Sequence, residues 1–353
     1  MKIENLQTPA LVVDENIFLQ NSNNMAKILS GKTLKLRPHF KSHKCAEIAR
    51  FQVENGAIGL TCAKLSEAVD LVDSGIENVL IANQIVDKSK IATLAHLANA
   101  ATITVCVDDK KNVEDLDNAC ALMGSTLNLF IEYEIGMERC GVATKEEVLS
   151  LAKFINTCSH LKFKGIQAYA GHLSHEISGE DRLNETSKNT AKLKELISYL
   201  KENGIEVETL SGGSTGTSLI KAEQGLYNEL QAGSYLFMDS TYKDLNLPFK
   251  NSLFIAATVV SVTGNITVVD AGVKSCGIDQ GMPLAVGFTY EKIVASEEHF
   301  QLHNASKKFS VGDRVLLIPA HCCSTVNLYD KLYFVKDGKV TKRVQVSARG
   351  CSK

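Results

Sequence analysis

The sequence predicts an α/β protein in which a (β/α)8 barrel is followed by an all-β domain. Eight short β-branched runs alternate with helical segments between about residues 34 and 235, as in parallel strands joined by helices. After about Phe249 the helical pattern ends, and β-branched segments follow one another between Gly, Asn and Asp-Gly turns. The 353 residues accommodate a barrel of about 250 residues and a second core.

The predicted barrel strands share a short apolar core and a following polar or glycine-rich segment. They are LKLRPHF from Leu34, AIGLTC from Ala57, NVLIAN from Asn78, TITVCV from Thr102, LNLFIEY from Leu127, KGIQAYA from Lys164, VETLSG from Val207 and NELQAGSY from Asn228. The clearest helix precedes the seventh strand, where Leu193, Leu196 and Leu200 fall at helical spacing and Asn203-Gly204 supplies the stop.

The predicted β domain comprises SLFIAATVVSV, NITVVDAG, RVLLIPA, KLYFVKDG and KVTKRVQVSARG. The N-terminal run ALVVD would be a ninth strand in the barrel, so it is assigned to the β domain. The predicted division is therefore a barrel over residues 15–248 and a β domain formed by residues 1–14 and 249–353.

The composition excludes several classes of protein. Hydrophobic content of 44%, charged content of 22% and a net charge of -2 argue against disorder and against a nucleic-acid-binding surface. No apolar run approaches the ~20 residues that span a bilayer, and no signal peptide is visible, so we expect a soluble cytoplasmic protein with no membrane partner. The ten scattered cysteines are then expected to be mostly reduced and buried.

Candidate functional motifs follow predicted barrel strands, where the loops of such a barrel carry the chemistry. Lys41 follows the first strand, Glu134 to Arg139 the fifth, Tyr169 to His172 the sixth and the SGGSTGT loop the seventh. The loop is either a flexible turn or a cradle whose backbone N–H groups bind a phosphate.

The stretch RPHFKSHK concentrates basic side chains in a nearly neutral chain. It is compatible with a solvated basic patch, a nucleic-acid or targeting signal, or a cofactor lysine. Leu34, Leu36 and Phe40 alternate through it as in a strand, which weakens the basic-patch interpretation.

This order of motifs resembles the fold-type III pyridoxal phosphate enzymes, the relatives of alanine racemase, and most closely the D-serine dehydratase and D-threonine aldolase group. The resemblance covers essentially the whole chain and implies a TIM barrel of the alanine racemase N-terminal type. It implies that Lys41, rather than Lys44, binds the cofactor covalently. Nearby cations such as Arg37 would help to keep that amine uncharged.

Further site residues are implied by the same resemblance. Arg139 would lie near the cofactor phenolate or the substrate carboxylate, and Tyr169 beside the pyridine ring, with His172 as a polar neighbour. Without the resemblance, Arg139 reads as a surface arginine and Tyr169 as a core tyrosine. Gln231 stands where alanine racemases carry an arginine, and a neutral amide would make the ring a poorer electron sink. The predicted catalytic residues are Lys41, Arg139 and Tyr169; the predicted cofactor-binding residues are Lys41, His39, Arg139, Tyr169, Gly212, Gly213, Ser214, Thr215, Gln231 and Tyr235.

The segment IPAHCCSTVNLYD supplies a candidate metal pair, His321 and Cys323. The segment is assigned to the end of a strand, so both side chains are expected to project from one face. An imidazole and a thiolate are ligands that suit zinc. Spacing alone is equally compatible with a buried cysteine and histidine. The resemblance implies a zinc ion on a His-x-Cys motif in the dehydratases, whereas D-threonine aldolases use histidine and aspartate with Mn²⁺ or Mg²⁺. Roles for Asp270, Lys274, Asp279, Glu298 and His299 stay open.

The leading hypothesis is a pyridoxal phosphate- and Zn²⁺-dependent D-serine dehydratase that gives pyruvate and ammonia by elimination of water. The alternatives are a D-threonine aldolase, which gives glycine and acetaldehyde, and a D-threo-3-hydroxyaspartate dehydratase. A non-catalytic pyridoxal phosphate carrier is the non-enzyme alternative. The resemblance also implies a small D-amino acid as substrate and a homodimer.

Overall fold

The computed structural model describes residues 1–353 and divides them into two compact units. The barrel unit comprises Ala26–Lys41, Ile48–Gly233 and Cys351–Lys353. The β unit comprises Met1–Met25, Ser42–Glu47 and Ser234–Gly350. The sequence-based boundaries at residues 14/15 and 248/249 stay predictions. No helix has both the length and the apolar character that crossing a membrane requires.

After a short 3-10 helix (Ile3–Asn5), the chain forms strand β1 (Ala10–Asp14) and helix α1 (Glu15–Leu29), and the eight barrel strands follow. They are β2 (Lys35–Leu36), β3 (Leu60–Cys62), β4 (Asn78–Ile81), β5 (Thr102–Val107), β6 (Leu127–Glu132), β7 (Leu161–Ala168), β8 (Thr209–Gly212) and β9 (Glu229–Leu230). Each coincides with one of the eight predicted runs, so the predicted strand content of the barrel is confirmed.

All neighbouring barrel strands are parallel, in the order β2-β9-β8-β7-β6-β5-β4-β3. The two ends of this sheet meet, because the Ile58 N–H donates to the Leu36 carbonyl and the Thr61 N–H to the Pro38 carbonyl, both at 2.9 Å. A parallel bridge between His39 and Thr61 extends the closure. The sheet is therefore a closed (β/α)8 barrel, and all its strands end at one rim.

The remaining helices are α2 (Ala46–Glu54), α3 (Leu65–Asp73), α4 (Lys88–Leu97), α5 (Lys110–Met123), α6 (Lys145–Ile155), α7 (Gly179–Glu202), α8 (Ser218–Gln224) and, in the β unit, α9 (Cys322–Val326). Local sequence explains their ends. Asp87, Asp109 and Thr144 cap α4, α5 and α6 by accepting backbone N–H groups. Helix α7 ends at the predicted Asn203-Gly204 stop, with Gly204 at φ +76°.

The β unit holds strands β10 (Leu253–Thr263), β11 (Ile266–Val269), β12 (Leu284–Ala285), β13 (Lys292–Ala295), β14 (Phe300–His303), β15 (Arg314–Ile318), β16 (Lys331–Lys336) and β17 (Lys339–Gln345). Its main path is β13-β14-β11-β10-β1-β16-β17, and β15 pairs with β10 and β12. Strand β1 lies antiparallel to β10 and parallel to β16. The N-terminal run therefore belongs to this sheet, and the fold-class prediction is confirmed.

Most cysteines occupy apolar positions in these cores. All ten are free, and Cys45, Cys62, Cys106, Cys120, Cys276 and Cys322 are buried. Cys106 packs with Leu80 and Phe130 in the barrel. The expected role of most cysteines as small buried side chains agrees with this placement.

A buried ion pair lies in the barrel. The Arg37 Nη2 donates to Glu229 Oε1 at 2.7 Å, and each side chain is only 7% exposed. The Arg37 Nη1 donates to Asn78 Oδ1 at 2.9 Å. One guanidinium thus links the segment after β2 to the first residues of β9 and β4.

We expect Glu229→Gln to lower the free energy of unfolding by about 3–5 kcal/mol, because it leaves the buried Arg37 cation without its carboxylate. Chemical denaturation measures the loss. Glu208→Gln is the matched control, since Glu208 pairs with Lys164 at 2.8 Å on the exposed surface and should cost less than about 1 kcal/mol. Equal losses for the two variants would contradict a special role for the buried pair.

Candidate active site

The segment from Arg37 to Lys41 carries the first candidate residues from the end of β2 to the barrel rim. Phe40 is fully buried and anchors the short 3-10 helix Phe40–Ser42, while Lys41 is half-buried. The Lys41 N–H donates to His39 Nδ1 at 3.4 Å. Arg37 does not act as an uncompensated cation here, because Glu229 balances its charge. The expected effect of Arg37 on Lys41 stays a prediction.

A cavity of about 150 Å³ lies at the rim of the barrel unit. Its walls are formed by residues that end or follow six of the eight strands. They are His39, Lys41, Ala63, Ala82, Asn83, Arg139, Cys140, Gln167, Tyr169 and Gln231. The structure therefore gathers His39, Lys41, Arg139, Tyr169 and Gln231 of the predicted set around one space.

The Tyr169 ring is near two cationic side chains. Lys41 Nζ is 5.8 Å and Arg139 Cζ 5.7 Å from the ring centroid, within the range of a weak cation–π attraction. Arg139 Nη2 also lies 3.5 Å from Glu132 Oε1. Burial raises the pKa of the Glu132 carboxyl, and its hydrogen bond from Gln84 and the charge of Arg139 oppose that shift. The half-exposed Arg139 therefore has only a long ion-pair contact, beside its position over the Tyr169 ring.

Gln231 belongs to a buried network of neutral groups. Its Nε2 donates to Gln167 Oε1 at 2.6 Å and to Ser211 Oγ at 2.9 Å, and the side chain is 4% exposed. These bonds fix the amide plane at the cavity wall. The position therefore offers neither a cation nor a carboxylate to a bound ring.

The loop after β8 packs its backbone closely against the end of β7 and the residues that follow it. Gly213 has φ +76°, and a Cβ on Gly212 would lie 2.1 Å from the Ala168 carbonyl oxygen. A Cβ on Gly216 would lie 1.9 Å from the Ser174 carbonyl oxygen. Glycine is thus required at these positions. The buried Thr215 hydroxyl has no hydrogen-bond partner, a donor set that suits an anionic ligand.

Sequence reasoning did not identify Lys221, on α8 beside this loop. The side chain is 3% exposed, and its Cγ would lie 3.4 Å from a Cβ on Gly213. Its Nζ lies 3.9 Å from the centroid of the Tyr227 ring. Burial lowers the pKa of Lys221 to about 7. The pattern of the helix gave no signal for a buried amine, since lysine is common at exposed helix positions.

The candidate metal pair lies in the β unit, where its local structure differs from the predicted strand. Strand β15 ends at Ile318, His321 is the N-cap of α9, and Cys322 and Cys323 are the first residues of that helix. The strand-alternation argument for this segment is therefore wrong. The helix is fixed at its start because the Cys322 N–H donates to the buried Asp239 Oδ2 at 2.9 Å. Cys322 itself is fully buried.

The His321 ring contacts two acidic groups. Its Nδ1 lies 2.7 Å from Asp279 Oδ2, and it is in hydrogen-bonding contact with Cys323. Burial alone would lower its pKa, but Cys323 and Asp279 outweigh burial and raise the pKa of His321 to about 9. No group of three or more His, Cys, Asp or Glu side chains forms a metal cage. An imidazole and a thiol alone would leave coordination positions open.

Comparison with known proteins shows the family. The alanine racemase N-terminal domain model matches residues 13–241, and a serine dehydratase domain model matches residues 252–335. The chain belongs to the alanine racemase N-terminal domain family.

Three relatives of this alanine racemase-like chain match nearly its whole length. It is 37% identical to the 3-hydroxy-D-aspartate aldolase of Paracoccus denitrificans, over 98% of this chain and 92% of that protein. The crystal structure of D-threonine aldolase from Filomicrobium marinum is 36% identical, with a TM-score of 0.95 over 100% of this chain and 98% of that one. The D-serine dehydratase of Dictyostelium discoideum is 25% identical over 95% of each chain.

These findings confirm the predicted resemblance and the prediction of an enzyme of the carbon–carbon or carbon–oxygen lyase class.

Within the alanine racemase-like barrel, His172 is exposed and lies against Gly136, outside the cavity wall. Tyr235 is buried in the β unit, with its ring 6.0 Å from that of Phe249.

Several polar residues whose roles the sequence left open have contacts within the β unit. Asp270 accepts from Thr8 Oγ1 and from the Thr258 N–H. Lys274 forms exposed ion pairs with Glu297 and Glu298, and the His299 carbonyl accepts from Ser296. A role for these residues in chemistry stays a prediction.

We expect Gly212→Ala to lower the free energy of unfolding by about 1–3 kcal/mol, because its methyl group would overlap the Ala168 carbonyl. The control is Gly179→Ala at the start of α7, where nothing lies within 4 Å of the added carbon. That control should be neutral or slightly stabilising. Thermal unfolding of both variants measures the difference, and a neutral Gly212→Ala would show that the loop has room to move.

Proposed function

We propose that the protein is a pyridoxal phosphate- and divalent metal-dependent lyase that acts on D-3-hydroxy amino acids. The observation that carries this proposal is the cavity that collects Lys41, Tyr169, Arg139 and Gln231 at the rim of a barrel similar over its full length to D-threonine aldolase.

The residues present fit the cofactor. Lys41 supplies the amine for its aldehyde, the Gly212–Thr215 segment and the partnerless Thr215 hydroxyl suit its phosphate, and Gln231 would face its ring nitrogen. When bound, the cofactor would supply an electron sink for the pair released from a bond to Cα. His39 and the Tyr169 ring would orient it within the cavity. Tyr235 stays a predicted contact.

The residues also fit a metal ion, since His321 and Cys323 form an imidazole and thiol pair that suits zinc. The ion would act as a Lewis acid on the substrate β-hydroxyl. The identity of the metal belongs to the proposal: zinc for the His-Cys pair, with Mn²⁺ or Mg²⁺ as the alternatives for an aldolase.

The chain's own residues would bind and deprotonate the substrate. Arg139 would bind an anionic oxygen, either the substrate carboxylate or the cofactor phenolate, because its guanidinium is half-exposed at the cavity and loosely held by Glu132. In a dehydration, Lys41 Nζ would be free, once the substrate amine has replaced it, to take the proton from the α-carbon as a general base. The predicted homodimer stays a prediction.

Retro-aldol cleavage is the reaction we place first. The aldolases are 36–37% identical to this chain, against 25% for the D-serine dehydratase. Cleavage removes the β-hydroxyl proton and breaks the Cα–Cβ bond, and Cα then takes up a proton, so D-threonine gives glycine and acetaldehyde.

Dehydration is the second candidate, and Cys323 favours it. The thiol occupies the metal-pair position that the resemblance associates with dehydratases, in which aldolases carry aspartate. In that reaction the α-proton is removed and hydroxide leaves from Cβ, so D-serine gives pyruvate and ammonia after hydrolysis.

Covalent attachment of the cofactor can be tested at one residue. Borohydride reduction of the cofactor-loaded protein should fix the label on Lys41, located by peptide mass spectrometry, and Lys41→Ala should abolish the label. Lys44→Ala is the control and should retain it, because Lys44 is the neighbouring lysine of the same motif. A label that persists on Lys44 in the Lys41→Ala protein would contradict the assignment.

Product analysis then separates the reactions. We expect glycine with acetaldehyde from D-threonine, and glycine with glyoxylate from D-threo-3-hydroxyaspartate, when the loaded protein is supplied with Zn²⁺, Mn²⁺ or Mg²⁺. Keto acid with ammonia, from D-serine or from 3-hydroxyaspartate, would establish a dehydratase instead. Bound cofactor without turnover of any of the three substrates would indicate the carrier alternative.

A further inference from the structure

Asp279 contacts the proposed metal ligand His321 from a distant part of the chain. It lies in the loop between β11 and β12, 42 residues before the histidine, and its Oδ2 is 2.7 Å from His321 Nδ1. Its Oδ1 accepts from Ser324 Oγ at 2.5 Å. Both carboxylate oxygens are therefore engaged by side chains of the His321–Ser324 turn.

Two further hydrogen bonds fix the loop that carries Asp279 against α9 and the residues that follow it. The Gly277 N–H donates to Thr325 Oγ1 at 3.1 Å, and the Tyr329 hydroxyl donates to the Ser275 carbonyl at 2.7 Å. A Cβ on Gly277 would lie 2.0 Å from Ser324 Oγ. Glycine therefore permits the close approach that brings the carboxylate to the imidazole.

Hydrogen bonding at Nδ1 decides which ring nitrogen can bind a metal. A carboxylate accepts a hydrogen, so Nδ1 carries the proton and the lone pair of the neutral ring is at Nε2. Metal-binding histidines in proteins commonly donate their second N–H to a carboxylate, which fixes the ring and raises its basicity.

Asp279 is also half-exposed, with 46% of its side chain accessible, against 24% for His321. An isolated ion pair of an exposed carboxylate contributes little to stability, so stability alone does not explain this geometry. The two engaged oxygens and the docked loop indicate a built contact instead.

We propose that Asp279 is a positioning residue, which holds the His321 ring with Nε2 available to the metal ion. The inference rests on the proposed function for the metal itself. It assigns Asp279 no bond to the metal, because Oδ2 faces Nδ1 and Oδ1 faces Ser324.

Metal affinity tests the inference without measuring turnover. Zn²⁺ is titrated into the metal-free, cofactor-loaded protein in competition with a chromophoric chelator. We expect Asp279→Asn to weaken Zn²⁺ binding by about 10- to 100-fold, the usual effect of losing such a partner. Ser324→Ala, which removes one hydrogen bond to Asp279, should give a smaller loss in the same direction and is the milder variant if Asp279→Asn folds poorly.

Three control variants define the limits. Asp244→Asn changes an exposed carboxylate that lies 4.0 Å from Lys243 and should not alter Zn²⁺ affinity. His321→Ala and Cys323→Ser remove proposed ligands and should nearly abolish binding. Co²⁺ replaces Zn²⁺ as a spectroscopic probe, and the thiolate-to-cobalt charge-transfer band should survive in Asp279→Asn and vanish in Cys323→Ser.

The outcomes distinguish the proposed metal site from the proposed role of Asp279. Wild-type protein that binds Zn²⁺ no better than His321→Ala would overturn the metal part of the proposed function, and this inference with it. Wild-type affinity in Asp279→Asn would overturn the positioning role alone. A loss as complete as that of His321→Ala would also overturn it, because Asp279 would then behave as a ligand.

Discussion

The buried Arg37–Glu229 ion pair is the constraint that ties the short first barrel strand to its neighbours. It lies where β2 meets β9, and the same guanidinium reaches Asn78 at the start of β4. A buried cation of this kind is tolerated only when its partners are fixed, since an unpaired charge in a barrel interior costs several kcal/mol. The pair therefore links the residue that follows β2, four positions before Lys41, to the starts of β9 and β4.

The charges and dipoles at the rim of the barrel could not be predicted from the strand pattern or the composition. The Arg37 charge is balanced within the barrel, Gln231 is held by other neutral groups, and Glu132 is buried beside a loosely held Arg139. The cavity thus has a half-exposed charge at one side and buried neutral dipoles at another. Under the proposed function, a ring nitrogen that meets an amide would withdraw electrons less strongly than one held protonated, and bond cleavage would require assistance at the β-hydroxyl.

Local pattern predicted most of this architecture, and contacts between distant residues account for what it missed. The eight barrel strands were evident because each is a β-branched run bounded by a helix, and closure places their ends together whatever the loops contain. Helix α9 was missed because five residues are too few to show helical periodicity, and its start is fixed by Asp239, 83 residues away along the chain. The neutralising partner of Arg37 lies 192 residues away. Pairings at such separations leave no trace in spacing.

Residue types predict the class of reaction more firmly than they predict which bond to Cα breaks. The bond to Cα that lies perpendicular to a conjugated ring is the one that releases its electrons most readily, so the orientation of the substrate carboxylate selects between Cα–H and Cα–Cβ. In this chain the candidate carboxylate partner, Arg139, is half-exposed and has a 3.5 Å ion-pair contact with Glu132 and a contact with the Tyr169 ring. A shift of that side chain by a few tenths of an ångström leaves every motif unchanged and still alters which bond is aligned. Lyases that share this barrel and these motifs can therefore differ in the bond they break.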